Sequence, residues 1–205
     1  MYMLFLWIQT FEIINGGKMY NNWEELEEKC KVCKNCKLCN NRKNVVIGTG
    51  NKNAKIMFIG EGPGADEDEQ GIPFVGRAGK LMNKAFEGIG IKREEVYIAN
   101  IVKCRPPGNR NPENDETNAC KEYIDAQIKL VNPEIIVLLG NVALKNIIGS
   151  EYGITTSRGK WIEKDGIKYI ATFHPAALLR DENKKIYFWN DLKKVIAANK
   201  KGALL

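Results

Sequence analysis

The chain has 205 residues, of which 44% are hydrophobic and 27% are charged, the fractions of an ordinary soluble protein. This length accommodates one domain with a sizeable core, alone or with a small appendage, and excludes several full-sized domains. The net charge of +6 suits a polyanionic partner. Because lysines outnumber arginines, the charge resembles generic phosphate attraction more than base recognition.

The first 14 residues are strongly apolar, but they resemble neither a signal peptide nor a membrane span. The run has neither the basic segment nor the small-residue cleavage site of a signal peptide. It is also too short to cross a bilayer. Gly16-Gly17-Lys18 stands directly before Met19, and this tripeptide is what a purine-rich ribosome-binding site gives when it is translated. We therefore expect residues 1–18 to be a non-native or disordered extension and residues 19–205 to form one domain. With no targeting signal, the expected location is the cytoplasm.

From residue 22 onward, helix-like and strand-like patterns follow one another. Asn22–Lys29 is typical of a short helix with an asparagine cap, and it leads into a cluster of cysteines. The sequence predicts strands at Ala54–Ile59, Val96–Val102, Glu134–Leu139 and Ile167–Phe173, and helices at Ala78–Gly88, Asp115–Val131, Val142–Ile148 and Tyr187–Ala198. The strands are nearly continuous apolar runs, which favours a parallel sheet covered on both faces.

Residues 60–79, GEGPGADEDEQGIPFVGRAG, connect the first predicted strand to the next helix and are rich in glycines and carboxylates. A simple connection of this kind needs only about 2–6 residues. Phe74 is its lone aromatic residue, and the surrounding glycines let the backbone approach a ligand. A flexible acidic surface loop is the simpler alternative, but the aromatic residue favours a binding loop at the carboxyl end of a strand. Residues 103–115 form a second long connection after a strand, so we expect the ligand crevice where the two connections converge.

Six cysteines occur, four of them evenly spaced in Cys30–Cys39, with Cys104 and Cys120 further along. Because the chain carries no secretion signal, metal binding is a better interpretation than disulfides. The run resembles a ferredoxin-type iron–sulfur motif, but it has two residues instead of three before its last cysteine and no proline after it. A tetrahedral zinc site is also compatible with the spacing, and the spacing leaves open which four cysteines bind.

His174 is the only histidine, and it directly follows the last predicted strand. It therefore falls on the same sheet edge as the two long connections, where an imidazole can donate a hydrogen bond to a ligand. The pair Leu178-Leu179 beside Arg180 has two interpretations. One is the start of a packed helix; the other is an apolar wedge that enters a base stack, with the arginine on a phosphate.

These motifs, in this order, resemble the family 4 iron–sulfur uracil-DNA glycosylases over nearly all of Cys33–Ala198. The resemblance rests on residues 60–79, on NIVKCRPPGNR at 100–110, on Cys120 and on HPAALLR at 174–180. It implies a three-layer α/β/α fold with a central four-stranded parallel sheet. It also implies an enzyme that flips uracil out of DNA and hydrolyses its N-glycosidic bond, leaving an abasic site that initiates base excision repair.

The resemblance also implies particular residues and partners. It assigns a [4Fe–4S] cluster to Cys33, Cys36, Cys104 and Cys120, with Cys30 and Cys39 as extra cysteines that could replace a ligand. The uracil-binding residues are Gly62, Phe74, Asn100 and His174, the catalytic candidates are Glu61, Glu67 and His174, and the DNA contacts are Leu178 as the wedge, Arg180, Arg105 and Arg110, with Lys103 as a further phosphate contact. The partner is uracil-containing DNA, single- or double-stranded, and we expect a monomer without membrane association.

The identity of the catalytic carboxylate stays open at this point. Related branches place an aspartate one residue after the position of Glu61, where this chain has Gly62. Glu61 and Glu67 are the candidates for orienting the water or stabilising the sugar cation, and we expect both to contribute. Asp66, Asp68 and Glu69 are expected on the solvated face.

The main functional alternative is an iron–sulfur electron carrier or sensor. That alternative explains the cysteines but gives no purpose to Phe74, Asn100 or the HPAALLR segment. A nucleotide-binding enzyme is disfavoured, because the loop lacks both common phosphate-binding glycine motifs and its carboxylates would repel phosphates.

Overall fold

The computed structural model of the protein describes residues 20–202. The expected extension, residues 1–18, lies outside them, and the assignment of 19–205 to one domain stays a prediction. The helices are α1 Trp23–Lys31, α2 Ala65–Gln70, α3 Arg77–Ile89, α4 Asn114–Val131, α5 Asn141–Ile147, α6 Ile154–Ser157, α7 Pro175–Arg180 and α8 Lys184–Gly202. The strands are β1 Thr49–Gly50, β2 Ile56–Gly60, β3 Tyr97–Asn100, β4 Ile135–Leu139, β5 Trp161–Lys164 and β6 Ile167–Thr172. No helix in this part of the chain is long and apolar enough to cross a membrane.

The strands form one six-stranded sheet in the order β1-β3-β2-β4-β6-β5. Its four middle strands are parallel, while β1 and β5 join the two edges in antiparallel orientation. The expected four-stranded parallel sheet is therefore only the middle of a larger, mixed sheet. Apolar periodicity missed the edges because β1 has two residues and β5 is largely exposed. An Asp165-Gly166 turn, with positive φ at both residues, joins β5 to β6, and that dipeptide is a hairpin signal.

Helices cover both faces of the sheet, as its fully buried middle strands β2, β3 and β4 require. One face packs against α1, α4 and α5 in a core that includes Leu26 and Leu144. The other packs against α3, α7 and α8 through side chains such as Phe86, Leu178 and Leu192. The sheet is thus rigidly supported, and its carboxyl edge offers a fixed base for the connections that follow the strands.

Candidate functional site

Three parallel strands end at one edge of the sheet, and the connections that follow them enclose a cleft. β2 ends at Gly60, β3 at Asn100 and β6 at Thr172, and Gly60 pairs with Asn100 in the register. The cleft encloses about 530 Å³, a volume usual for a small-molecule site. The two long connections therefore converge as predicted. The predicted site residues that line the cleft are Glu61, Gly62, Glu67, Phe74, Asn100, Arg110, His174 and Arg180.

Asn100 brings a buried polar atom without a partner into this cleft. Its side chain is 2% exposed, and its Oδ1 accepts no hydrogen bond from residues 20–202. An unpaired buried acceptor costs about 1–3 kcal/mol, so it marks a place where a ligand's donor belongs. Gly60 makes room for it, since a Cβ there would lie 2.5 Å from Asn100 Oδ1 and 2.5 Å from the Phe74 ring. The amide and the ring therefore meet over one glycine.

Phe74 is fixed by its backbone as well as by its ring. Its φ is 54°, in the left-handed region that is costly for a residue with a side chain. Gly79 packs so closely on it that a side chain at Gly79 would clash with the Phe74 carbonyl. The Phe74 ring is buried, and its centroid lies 5.6 Å from that of His174 with 35° between the planes. The two rings form adjoining walls of the cleft.

Glu67 braces the 60–79 loop from inside. Within that loop residues 65–70 form α2, a helix that periodicity did not predict. One carboxylate oxygen of Glu67 accepts from Gly64 N at 3.0 Å, and the other accepts from Val75 N and Gly76 N at 2.9 and 2.8 Å. These bonds tie the start of α2 to the start of α3 and close the turn that carries Phe74. All of the bonds are charge-assisted, which makes the brace strong.

Glu61 is half-buried and faces the cleft, but unlike Glu67 it does not brace the loop. Its oxygens accept no hydrogen bond from the part of the chain that the structure describes, and it shares the cleft wall with His174 and Arg180. Burial raises the pKa of Glu61, and the Arg180 guanidinium opposes that rise. The neighbouring Gly62 packs on Val102, whose Cγ2 would lie 2.8 Å from a Cβ at that position.

Three other acids of the loop, Asp66, Asp68 and Glu69, are expected on the solvated face, and the structure buries one of them. Asp68 is 3% exposed and accepts hydrogen bonds from Lys43 N at 2.9 Å and from Asn44 N at 3.3 Å. It lies on the inner side of α2, where it anchors the segment that precedes β1. Glu69 is exposed and pairs with the ammonium of Lys43, as a surface acid would.

His174 caps the first turn of α7 with its own ring. Its Nδ1 accepts a hydrogen bond from Ala176 N at 3.2 Å, so the proton of the neutral imidazole is on Nε2. Burial, reinforced by the nearby Arg180 guanidinium, lowers the pKa of His174 from 6.5 to about 4. The ring is therefore neutral at pH 7 and offers a single N–H donor to the cleft.

Leu178, the residue predicted to be the wedge, does not face the cleft, whereas its neighbour Leu179 does. Leu178 is 1% exposed and packs in the core beneath α7, because Pro175 and Leu178 share the inner face of the helix. Leu179 is 40% exposed and lines the cleft together with the exposed Arg180. The packed helix start was thus the right interpretation for Leu178. The spacing of three residues from Pro175 was the signal that could have separated the two leucines.

The basic residues predicted to contact DNA differ in their burial and in their hydrogen-bond partners. Arg110 lines the cleft, but its guanidinium forms two hydrogen bonds with the buried Glu116, at 2.8 and 2.6 Å. Arg105 is half-buried, donates to Asn109 Oδ1 at 2.8 Å and lies outside the cleft lining. Lys103 is 1% exposed, so it does not meet DNA phosphates as proposed from the sequence.

The cysteines gather around a second, small pocket between α1 and α4. All six are free thiols and line it together with Arg42, Lys103 and Tyr123. Burial raises the pKa of both Cys30 and Cys120 to about 12. Within residues 20–202, no three His, Cys, Asp or Glu side chains are grouped closely enough to hold a single metal ion.

Hydrogen bonds divide the six thiols into two sets. The sulfurs of Cys33, Cys104 and Cys120 accept from Asn35 N at 3.5 Å, Arg42 Nη1 at 3.3 Å and Lys103 N at 3.3 Å. Cys39 instead donates to Asn40 Oδ1, and Cys30 has no such bond among the described residues. The three acceptors are among the four cysteines that the family resemblance assigns as ligands.

Known proteins match this chain over most of its length. Residues 47–193 match the Uracil DNA glycosylase superfamily. A type-4 uracil-DNA glycosylase of Thermotoga maritima is 46% identical over 183 residues, which is 87% of this chain and 92% of the relative. Type-4 uracil-DNA glycosylases of Sulfurisphaera tokodaii and Archaeoglobus fulgidus are 45% and 39% identical, each over 84% of this chain and over 82% and 90% of the relatives. The resemblance found in the motifs is confirmed: the chain belongs to the uracil-DNA glycosylase superfamily and, within it, to the type-4 family.

Proposed function

We propose that this protein is a uracil-DNA glycosylase that takes a flipped-out uracil into the cleft and hydrolyses its N-glycosidic bond. The observation that carries the proposal is the buried Oδ1 of Asn100, which lies beside the ring of Phe74 and accepts no hydrogen bond from any described residue. Uracil in a duplex is stacked and paired, so it must leave the helix to reach such a site. The products are free uracil and an abasic site in the DNA. We expect the protein to act as a monomer.

Uracil is selected by the amide of Asn100 and the ring of Phe74. The orphan Oδ1 accepts from uracil N3–H, while the amide nitrogen donates to O4. Cytosine presents the opposite pattern at those two atoms, so it would leave the buried amide unpaired. The Phe74 ring provides an apolar face on which the pyrimidine stacks.

His174 stabilises the charge that develops when the bond breaks. Departure of the base leaves negative charge on the uracil ring, largely at O2. The Nε2–H of a neutral, already oriented imidazole donates to that oxygen as the charge forms. Ala176 N holds the other ring nitrogen, so no reorientation of the ring is needed during the reaction.

Glu61 orients the attacking water, and Glu67 holds the loop. The carboxylate of Glu61 faces the cleft and is free to accept from water, whereas three backbone N–H groups occupy Glu67. Ionised Glu61 also stabilises the electron-poor sugar that the departing base leaves behind. Gly62 adds no side chain and leaves its backbone close to the base.

The DNA is bound by the face on which the cleft opens. Leu179 fills the space that the uracil vacates in the base stack, and Arg180 holds the flanking phosphate. Their exposure next to the cleft supports these roles. The net charge of +6 adds a salt-dependent attraction to the backbone.

A [4Fe–4S] cluster on Cys33, Cys36, Cys104 and Cys120 fits the cysteine pocket. Hydrogen bonds to the sulfurs are a usual means of stabilising and tuning such clusters, and three of these four thiols, Cys33, Cys104 and Cys120, accept them. Bound there, the cluster would fix the loop between β3 and α4 without taking part in hydrolysis. Iron and sulfide analysis of Cys120→Ser and Cys39→Ser tests the assignment. Only the first is expected to lose the cluster.

Uracil release from synthetic DNA tests the proposed function. We expect free uracil from U·G duplex, from U·A duplex and from a uracil-containing single strand, and no base from a cytosine-containing strand. Asn100→Ala should lose about a hundredfold in rate, while Asn118→Ala, which changes an exposed asparagine of α4, should not. Wild-type protein that releases no uracil from any substrate would contradict the proposal. It would also favour the electron-carrier alternative.

A further inference from the structure

Lys103 is a buried lysine that none of the roles above uses. It lies between the strand end that carries Asn100 and the cysteine pocket, and its side chain is 1% exposed. Its Nζ donates to the backbone carbonyl of Asn100 and to Gln127 Oε1, both at 2.6 Å. No carboxylate of residues 20–202 forms an ion pair with it.

A buried ammonium with only neutral acceptors is costly, because removal from water is not offset by an opposite charge. The ionisable groups around Lys103 are the thiols of Cys30, Cys104 and Cys120. Its own backbone N–H donates to the Cys120 sulfur at 3.3 Å. Neutral thiols would not offset the cation, whereas four thiolates that hold an iron–sulfur cluster carry net negative charge.

The same ammonium determines where Asn100 lies. It spans from the Asn100 carbonyl to Gln127, and Gln127 is itself anchored by hydrogen bonds to Ile47 O at 2.8 Å and to Tyr97 Oη at 3.1 Å. Lys103 therefore closes the turn after β3 against a fixed support. A shift of the ammonium would move the backbone of the residue that selects uracil.

We propose that Lys103 is a positioning residue that joins the two sites: its ammonium is the buried counter-charge of the cysteine centre and holds the Asn100 backbone in place for uracil. This inference rests on the proposed function and on the cluster. It explains why a lysine occupies a buried position where no acid of residues 20–202 pairs with it. It also gives the cluster a route by which to support the uracil site without chemistry of its own.

Two substitutions of Lys103 and one control separate the two roles. Lys103→Met removes both the charge and the donor, Lys103→Gln removes the charge but keeps an amide donor, and Lys37→Met removes an exposed charge next to Cys36. Three quantities are measured on iron-loaded protein: the reduction potential of the cluster, the rate at which a chelator bleaches its visible absorption, and kcat and KM for a uracil-containing strand.

We expect Lys103→Met to shift the potential to more negative values, to bleach about tenfold faster and to lose about tenfold in kcat, since a hydrogen bond to a charged group is worth about that much. Lys103→Gln should keep the shifted potential and recover most of kcat. Lys37→Met should match wild type in all three measurements.

Wild-type potential and bleaching in Lys103→Met, or in Lys103→Gln if the methionine variant does not fold, would overturn the charge role. A Lys103→Met variant with the shifted potential but unchanged kcat would overturn the positioning role. The potential and the bleaching rate do not depend on glycosylase activity. Failure of the proposed function would instead appear as wild-type protein that releases no uracil.

Discussion

The two long connections that enclose the cleft are stabilised in different ways. The 60–79 loop is closed by its own chain: Glu67 collects backbone N–H groups from both of its ends. The loop after β3, residues 101–113, depends on partners outside it, among them Glu116 in α4 and Gln127, through Lys103. The first wall can form from local contacts, whereas the second depends on contacts with α4 and borders the cysteine pocket. We therefore expect the two proposed uracil contacts, Phe74 in the first wall and Asn100 beside the second, to respond to different substitutions.

We expect the largest loss of activity from removing the imidazole of His174, which lies in the cleft between the two connections. His174→Ala should lower the rate of uracil release about 10²–10³-fold, since one donor to a developing negative charge is worth that much. The visible absorption of the cluster and the thermal midpoint should change little, because the ring serves the cleft and only the first turn of α7. Single-turnover uracil release measures the rate. A loss of less than threefold would remove His174 from the mechanism.

The adjacent residues Leu178 and Leu179 test the role of α7, the helix that borders the cleft beside the two connections. Leu178→Ala should cost about 2–5 kcal/mol of unfolding free energy, because it opens a cavity under α7. Leu179→Ala should cost less than about 0.5 kcal/mol and should lower uracil release from duplex DNA about tenfold, with a smaller effect on a single strand. Urea unfolding and release assays on both variants provide the comparison. The reverse pattern would restore Leu178 as the wedge.

Glu67→Gln weakens the 60–79 loop and leaves the loop after β3 unchanged. A neutral amide keeps only one acceptor oxygen for three donors, so the Phe74 turn loosens and kcat/KM should fall about 10–100-fold. Iron content and visible absorption should equal wild type, because the second wall is untouched. Glu69→Gln is the matched control at an exposed acid of the same helix. Loss of the cluster in Glu67→Gln would show that the two walls are not independent.

Arg110→Met gives the complementary, smaller test on the second wall. It leaves the buried Glu116 carboxylate without its guanidinium and should lower the thermal midpoint at pH 7. The Arg110 guanidinium lowers the pKa of Glu116, so this stabilisation is present above the ordinary glutamate pKa and is lost as the pH falls through the lowered value. The midpoints of variant and wild type should therefore converge on acidification. A difference that grows at low pH would contradict the ion-pair account.

Sequence patterns predicted the parts of the fold that depend on continuous burial. The four middle strands and the long helices follow from apolar runs and periodicity, and the Asn22 cap of α1 is present as expected. The patterns missed α2, since ADEDEQ has no apolar stripe and its helix forms around Gly64 and Glu67. They also missed the edge strands β1 and β5. These strands have few buried apolar residues of their own and form by pairing with β3 and β6.

The site was predictable in membership but not in the direction of its side chains. The motifs identified Asn100, Phe74 and His174 correctly as residues that meet in one cleft. They did not reveal that Glu67 points into its own loop or that Lys103 points into the protein. Those directions are fixed by hydrogen bonds to particular atoms, which residue patterns do not encode. The burial of Leu178 was missed because one step along the helix separates the core from the cleft.

The state of His174 is the most direct test of the account, because the chain contains no other histidine. Burial lowers its pKa to about 4, so at any pH well above 4 the ring is neutral, and it becomes charged only as the pH falls through that value. The measurement is a nitrogen-15 imidazole spectrum of tag-free, histidine-labelled protein between pH 5.5 and 8, with and without added uracil. We predict a proton on Nε2, an unprotonated Nδ1 and no titration in this range, with the Nε2–H signal shifting when uracil binds. An imidazole that titrates near pH 6.5, or an Nε2–H signal that does not shift when uracil is added, would contradict the account.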